Sequence, residues 1–203
     1  MRRAQTVLMG VLALALLTSP LTSSVPQGLG QEANEGCLCH TQVSPVDVTL
    51  SGLPDAYEAN TTYNLTLSVT SDVPSVEGAS SGGFRLLVSN GTLSGDEQRV
   101  QELDGGWTQT SSGAQWRSWS LSWQSPADNT SRTEFLVHGN TVNGNNATTG
   151  DAWSTLEVVI PGVAYQGDLN PNEGINGLDS NDRILLVVAL LVMVGLVWTS
   201  ARS

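Results

Sequence analysis

The sequence predicts an all-β protein, an antiparallel β-sandwich flanked by an apolar segment at each end of the chain. Short runs of alternating apolar and polar residues recur through the middle of the chain, and most are rich in β-branched or aromatic residues. Turn-forming Gly, Asn, Asp and Pro separate these runs. No amphipathic helix of useful length lies between the two ends. Roughly six to eight short strands at this spacing are typical of a sandwich.

The clearest strand is 63–69, Tyr-Asn-Leu-Thr-Leu-Ser-Val, in which every second residue is apolar. The run 46–50 alternates in the same way. The pair Asn90-Gly91 predicts a tight turn between strands. Further short runs of the same kind predict strands at 84–88, 116–123, 133–137 and 155–160.

The run 116–123 carries three of the six tryptophans. In a strand, Trp119 and Trp123 fall on one face and Trp116 falls on the other. Trp119 and Trp123 are interpreted as core residues between two sheets, because large aromatic side chains dominate core energetics. The alternative is an aromatic platform for carbohydrate.

The N-terminal residues 1–24 have the order of a secretory signal. Arg2 and Arg3 precede an apolar run at 7–17, and small and polar residues follow it. The apolar run is short for a membrane span. We therefore expect an exported protein, in which residues 25–45 form an N-terminal segment and 46–165 form the sandwich.

The C-terminal end predicts a membrane anchor. An acidic linker at 166–183 leads to an uncharged apolar run at 184–200 and a tail at 201–203. About 17–25 residues cover a bilayer core, so this run is a short but acceptable transmembrane helix. The expected location is the cell membrane, with a single pass, the sandwich outside and the C-terminus in the cytoplasm.

The composition is acidic, with a net charge of −11, and all eight basic residues are arginine. Such a surface repels nucleic acid, so no nucleic-acid partner is expected. In an exported chain, Asn-X-Ser/Thr sequences are candidate glycosylation sites in exposed turns. They occur at Asn60, Asn64, Asn90, Asn129 and Asn146.

Cys37-Leu38-Cys39-His40 contains both cysteines and one of the two histidines. Thiolates and imidazole are good ligands for copper and zinc, and a cysteine pair followed by histidine is typical of c-type haem attachment. Haem attachment normally has two residues between the cysteines, and here Leu38 stands alone. A Cys37–Cys39 disulfide is the structural alternative, since an even cysteine count in an exported chain favours pairing. All three hypotheses remain open.

A metal site built on these residues would need a fourth ligand. His138 is the natural candidate, and Asp151 is the second. If the cysteine segment packs against the loop that ends at Asp151, then His40, His138 and Asp151 would converge. That loop is rich in Asn and Gly, so its amides would either line a polar pocket or close a long hairpin by Asx turns.

The linker contains a calcium-like spacing of oxygen-bearing side chains. If Asp168 is position 1 of a calcium loop, Asn170, Asn172 and Asp179 stand at positions 3, 5 and 12. Glu173 replaces the glycine that the sharp turn of such a loop requires. The alternative is a flexible acidic stalk.

The order of the motifs resembles the reelin-domain-like family of exported prokaryotic proteins called choice-of-anchor V domains. The resemblance covers about residues 36–160 and rests on Gly-Cys-Leu-Cys-His-Thr at 36–41, Leu-Pro-Asp-Ala-Tyr at 53–57, Gly-Gly-Phe-Arg-Leu at 82–86, Trp-Ser-Leu-Ser-Trp at 119–123, Phe-Leu-Val-His-Gly-Asn at 135–140 and Thr-Gly-Asp at 149–151. It implies an immunoglobulin-like β-sandwich at the cell surface with a varied anchoring tail.

The function expected from these features is a membrane-anchored, non-enzymatic binding or adhesion module with an extracellular ligand. The alternative is an extracytoplasmic redox or metal-handling domain that uses haem c or copper at the Cys37–His40 segment. Two histidines and no nucleophile motif leave little from which to assemble a catalytic triad, so we do not expect an enzyme.

Overall fold

The computed structural model describes residues 26–36, 45–145, 147–169 and 180–202. The chain divides into two units, Met1–Gln166 and Gly167–Ser203. The described residues of the first unit form nine strands: β1 (Val46–Ser51), β2 (Thr62–Ser71), β3 (Gly82–Val88), β4 (Thr92–Gly95), β5 (Val100–Leu103), β6 (Gly106–Gln109), β7 (Ser118–Gln124), β8 (Arg132–Thr141) and β9 (Ala152–Pro161).

The strands form two sheets, a four-stranded sheet in the order β1-β2-β7-β4 and a five-stranded sheet in the order β5-β6-β3-β8-β9. Every strand pair in both sheets is antiparallel. The predicted all-β sandwich is therefore confirmed. The short runs in the sequence correctly predicted six strands: β1, β2, β3, β7, β8 and β9. They did not predict β4, β5 and β6, each of which has only four residues.

The hydrophobic core lies between the two sheets and is dominated by aromatic rings. Trp119 and Trp123 on β7 are fully buried. The ring of Trp123 lies edge-on to Phe135 of β8 at a centroid distance of 5.0 Å, and Trp119 packs against Phe84 of β3 at 4.8 Å. The interpretation of both tryptophans as core residues is confirmed, and for these two the carbohydrate platform is wrong.

The indole N–H groups of Trp119 and Trp123 both have backbone partners. Trp119 Nε1 donates to the carbonyl oxygen of Gly113 at 3.0 Å, and Trp123 Nε1 donates to that of Asn90 at 3.1 Å. Gly91 has a φ of +81°, and a Cβ there would lie 2.3 Å from Trp123 Nε1. The predicted Asn90-Gly91 turn thus needs glycine for its conformation and for the approach of the tryptophan.

The second unit contains helix α1 (Ser180–Arg202), which includes the run predicted to cross the membrane. Over the part of the chain that the structure describes, no helix is both long and apolar enough to span a bilayer.

Candidate functional site

The outer face of the five-stranded sheet is covered by residues 26–36, here called the N-terminal strap. Three glycines let its backbone approach the sheet. A Cβ on Gly28 would lie 2.5 Å from Thr108, a Cβ on Gly30 would lie 2.1 Å from the Asp104 carboxylate, and a Cβ on Gly36 would lie 2.9 Å from the ring of Trp153. The strap ends directly before Cys37, so its docking determines where that segment begins.

Arg85 is the charged side chain that holds the strap. It lies on the outer face of β3 and is 1% exposed. Its Nε donates to Asn34 Oδ1 at 2.9 Å, and its two terminal nitrogens donate to the carbonyl oxygens of Leu29, Leu103 and Asp104 at 3.2, 2.6 and 3.0 Å. Burial lowers the pKa of the guanidinium, while the charges of Asp104 and Glu32 oppose that shift.

His138 holds the strap one strand further along the same face. Its Nε2 lies 2.9 Å from the carbonyl oxygen of Asn34, and its Nδ1 lies 2.8 Å from Thr155 Oγ1. A carbonyl oxygen only accepts, so Nε2 carries the proton. Both ring nitrogens are therefore engaged, and a metal ion would have to displace one of these partners. His138 supports the strap rather than presenting a free ligand.

The predicted metal residues are not brought together within the described part of the chain. Cys37, Cys39 and His40 lie outside the described residues. His138 pairs with Thr155, the fourth residue of β9, whereas Asp151 directly precedes the first residue of that strand. Four residue steps separate positions 151 and 155, about 13 Å at the usual rise. Among the described residues, no group of three histidine, cysteine, aspartate or glutamate side chains could hold a metal ion.

Asp151 instead closes its own loop. The carboxylate is 2% exposed, and its Oδ1 accepts from the backbone N–H of Asn143 at 3.0 Å. Asn143 Oδ1 accepts from the N–H of Asn145, and Asn145 Oδ1 accepts from the N–H of Ala147, at 3.1 and 2.8 Å. These are the local bonds of Asx turns. They support the interpretation of the Asn- and Gly-rich stretch as a hairpin loop.

The structure describes only some of the residues of the remaining predicted sites. Of the calcium candidates, Asp168 is described, while Asn170, Asn172 and Asp179 lie outside the described residues. Asn60, Asn64 and Asn90 are exposed and Asn129 is half-buried, whereas Asn146 lies outside the described residues. Calcium binding and glycosylation stay predictions.

A groove of about 690 Å³ opens at the β5 edge of the five-stranded sheet. The β4–β5 loop and β5 form one side of it, and residues 110–116 between β6 and β7 form the other. Trp116 is the only apolar side chain among its described lining residues, and it is 48% exposed. Most of the lining is amide or hydroxyl: Gln27, Gln98, Gln101, Thr110, Ser111, Ser112 and Gln115.

A cation holds the tryptophan of this groove. The guanidinium carbon of Arg99 lies 4.4 Å from the centroid of the Trp116 ring, which is the distance of a cation–π contact. Arg99 also lies 3.9 Å from Asp96 in an ion pair that is about half exposed on both sides. Arg99 and Trp116 together form one wall of the groove.

Backbone contacts join the two sides of the groove. Thr110 N–H donates to the carbonyl oxygen of Arg99 at 2.9 Å, and Thr110 Oγ1 donates to that of Gln98 at 2.6 Å. Gly113 begins a 3-10 turn, Gly113–Gln115, and a Cβ there would lie 1.8 Å from the Arg99 carbonyl oxygen. Only glycine allows this approach.

Sequence reasoning assigned Trp116 to the face opposite Trp119 and Trp123 but gave it no role. The useful signal was that out-of-phase tryptophan, preceded by the small and polar run at 111–115. Its partner Arg99 is distant in sequence, so the pairing required the tertiary structure.

No family model matches the chain, and no curated protein is similar enough to match. Among solved structures, the chain is similar to the reelin-N domain of F-spondin at 18% identity, over 64% of this chain and 94% of that one, with a TM-score of 0.41. It is similar to the human F-spondin reeler domain at 15% identity, over 65% and 99% of the two chains, with a TM-score of 0.41.

A conjugate transposon protein fragment from Bacteroides vulgatus is also similar, at 11% identity over 61% of this chain and 91% of that one, with a TM-score of 0.35. Two of these neighbours are reelin-like domains, the class of domain that the order of the motifs resembles.

Proposed function

We propose that this protein is a non-enzymatic binding module displayed at the cell surface, and that the groove at Trp116 receives its partner. The observation that supports this most directly is the half-exposed indole of Trp116 at the wall of an open groove. Binding sites characteristically combine an aromatic surface with a few convergent polar groups. Trp116 is held in place by Arg99, so little side-chain freedom remains to be lost on binding.

The chemistry of the groove supports binding over catalysis. Glu97 is the only carboxylate among the described residues that line it, and none of those residues is histidine or cysteine. General acid–base and nucleophilic catalysis need such groups within hydrogen-bond reach of one another. The described histidine, His138, has both nitrogens bound to the strap and to β9.

Display outside the cytoplasm is supported by the signal-like order of residues 1–24. The candidate glycosylation sites at Asn60, Asn64 and Asn90 are exposed, as attachment of a glycan requires. The net charge of −11 favours a partner that is not itself strongly anionic.

The proposal is tested by measuring how the labelled full chain binds to intact cells and extracellular material of its source organism. We expect Trp116→Ala to weaken that binding by about tenfold or more, as removal of a central aromatic anchor does. Val163→Ala is the matched control, because Val163 has the same exposed fraction of 48% and does not line the groove. Equal binding by both variants would overturn the assignment of the groove.

A further inference from the structure

We infer that the ligand of the groove at Trp116 is a carbohydrate, specifically a short oligosaccharide with a free pyranose face. This inference rests on the proposed function and names the chemical class that the groove selects. The groove volume of about 690 Å³ lies in the usual range for small-ligand sites, roughly 300–1,000 Å³, which leaves room for several sugar rings.

The aromatic wall suits one face of a sugar. A pyranose ring presents a flat patch of C–H groups on one side and hydroxyls around its edge. An exposed indole offers a large, rigid apolar surface for that patch. The Arg99 guanidinium, 4.4 Å from the ring centroid, lies over one face of the Trp116 indole and favours one orientation of the ring. The wall is therefore organised before the ligand arrives.

The polar lining suits the edge of a sugar. Gln98, Ser111, Ser112 and Gln115 are exposed, and their side chains make no hydrogen bond to another residue within the part of the chain that the structure describes. Amides and hydroxyls both donate and accept hydrogen bonds, as sugar hydroxyls do. A row of such groups beside an aromatic wall matches a polyhydroxylated ligand with one apolar face.

The same lining disfavours other classes of ligand. Trp116 is the only apolar side chain among the described lining residues, so the groove lacks pockets for the apolar anchors of a peptide. Arg99 is the only cation there, and Glu97 lies beside it, which does not suit a phosphate-rich polyanion. A neutral, hydroxyl-rich ligand best fits this charge balance.

The first test uses the full chain and four soluble probes: chitotetraose, cellotetraose, maltotetraose and mannotetraose. Binding is measured calorimetrically and by tryptophan fluorescence. We expect at least one probe to bind, Trp116→Ala to weaken that binding about tenfold or more, and Trp116→Phe to restore much of it. Val163→Ala should bind as the unmodified chain does, and the fluorescence change should be absent in Trp116→Phe.

The second test separates this inference from the proposed function. Cells and extracellular material are treated with periodate, which cleaves vicinal diols of glycans, or with protease. Trp116-dependent binding that is lost after periodate and kept after protease supports a carbohydrate ligand, even if none of the four probes binds. Trp116-dependent binding that survives periodate and is lost after protease overturns the carbohydrate inference while the binding module stands. Binding that does not depend on Trp116 overturns both.

Discussion

His138 Nε2 lies 2.9 Å from the carbonyl oxygen of Asn34, a residue 104 positions earlier in the chain. This bond joins the N-terminal strap to the outer face of the five-stranded sheet. It also gives the histidine a structural role, where the sequence suggested a metal ligand. The strap and the groove can each be tested by substitutions that change one contact at a time.

Replacing His138 by Ala should loosen the strap. The change removes the donor to Asn34 and leaves a partly buried carbonyl oxygen without its partner, which typically costs about 1–3 kcal/mol of unfolding free energy. Denaturant unfolding of the full chain measures the loss. His138→Gln, which keeps a donor, should be less harmful. An alanine variant as stable as the unmodified chain would show that this bond does not hold the strap.

Replacing Arg85 by Met should lower the free energy of unfolding more than replacing His138 by Ala does. The buried guanidinium supplies hydrogen bonds to three carbonyl oxygens and to Asn34, so its removal orphans several acceptors at once. We expect a loss of about 1–3 kcal/mol for each acceptor that is left buried without a donor. Arg132→Met is the control, because its contact with Glu134 is a partly exposed ion pair worth about 1 kcal/mol or less. Equal losses would refute the special role of Arg85.

Gly113→Ala should distort the groove through the backbone alone. The added Cβ would lie 1.8 Å from the Arg99 carbonyl oxygen, so residues 110–116 must move away from the β4–β5 loop. The expected cost is about 1–3 kcal/mol, as for other overpacked sites. The midpoint temperature of thermal unfolding and the affinity for the ligand should both fall. Gly195→Ala, where the added atom meets nothing within 4 Å, should lower neither.

Acid should weaken the local structure of the strap through Glu32. Hydrogen bonds from its own backbone N–H and from that of Gly30 lower the pKa of this carboxyl below its usual 4.5. Because the folded pKa is the lower one, the stabilisation is present above the unfolded value and is lost as the pH falls through the folded value. Carboxyl groups ordinarily titrate between about pH 5 and pH 3. Over this range, hydrogen exchange of the strap amides should lose protection as the pH falls.

The matched variant for the acid effect is Glu32→Gln. It cannot carry the negative charge, so the pH dependence of strap opening, relative to amides in β2, should disappear. A strap that opens with the same pH profile in both proteins would assign the effect to another group.

Whether Cys37-Leu38-Cys39-His40 holds a disulfide, a haem or a metal ion is a question that solution measurements answer directly. The single residue between the cysteines disfavours ordinary haem attachment, so we expect a full chain without a Soret band and with its two thiols oxidised. Visible absorption, metal analysis and thiol titration decide this. A Soret band or stoichiometric copper would instead favour the redox alternative.

The longer strands of the sandwich could be predicted from the local alternation of apolar and polar residues. Period-two alternation identified β2 and β7, and it correctly turned Trp119 and Trp123 inward. The strands β4, β5 and β6 were missed because four residues give too little alternation to distinguish a strand from a loop. In the two sheets β4 pairs with β7, β6 pairs with β3 and β5 pairs with β6. These pairings supply hydrogen bonds that short segments cannot supply alone.

The candidate site was less accessible to sequence reasoning. The sequence predicts His138 as the fourth ligand of a metal site, but the role of its side chain depends on which backbone group faces its Nε2. Arg99 and Trp116 are separated by a hairpin and a loop, and neither residue type identifies the other as its partner. Hydrogen-bond and cation–π partners are chosen by proximity in space, which alternation along one strand does not encode.

By itself, the sequence determined the class of the fold, the inward face of the longer strands, the acidic surface and the order of motifs. These properties depend on residue type and short-range spacing, which are visible in any stretch of chain. Only the tertiary structure decided that Arg85 and His138 hold the strap and that Arg99 holds Trp116 at an open groove. Those roles require contacts between segments far apart in the chain, and such contacts form when burying the core brings the two sheets and their loops together.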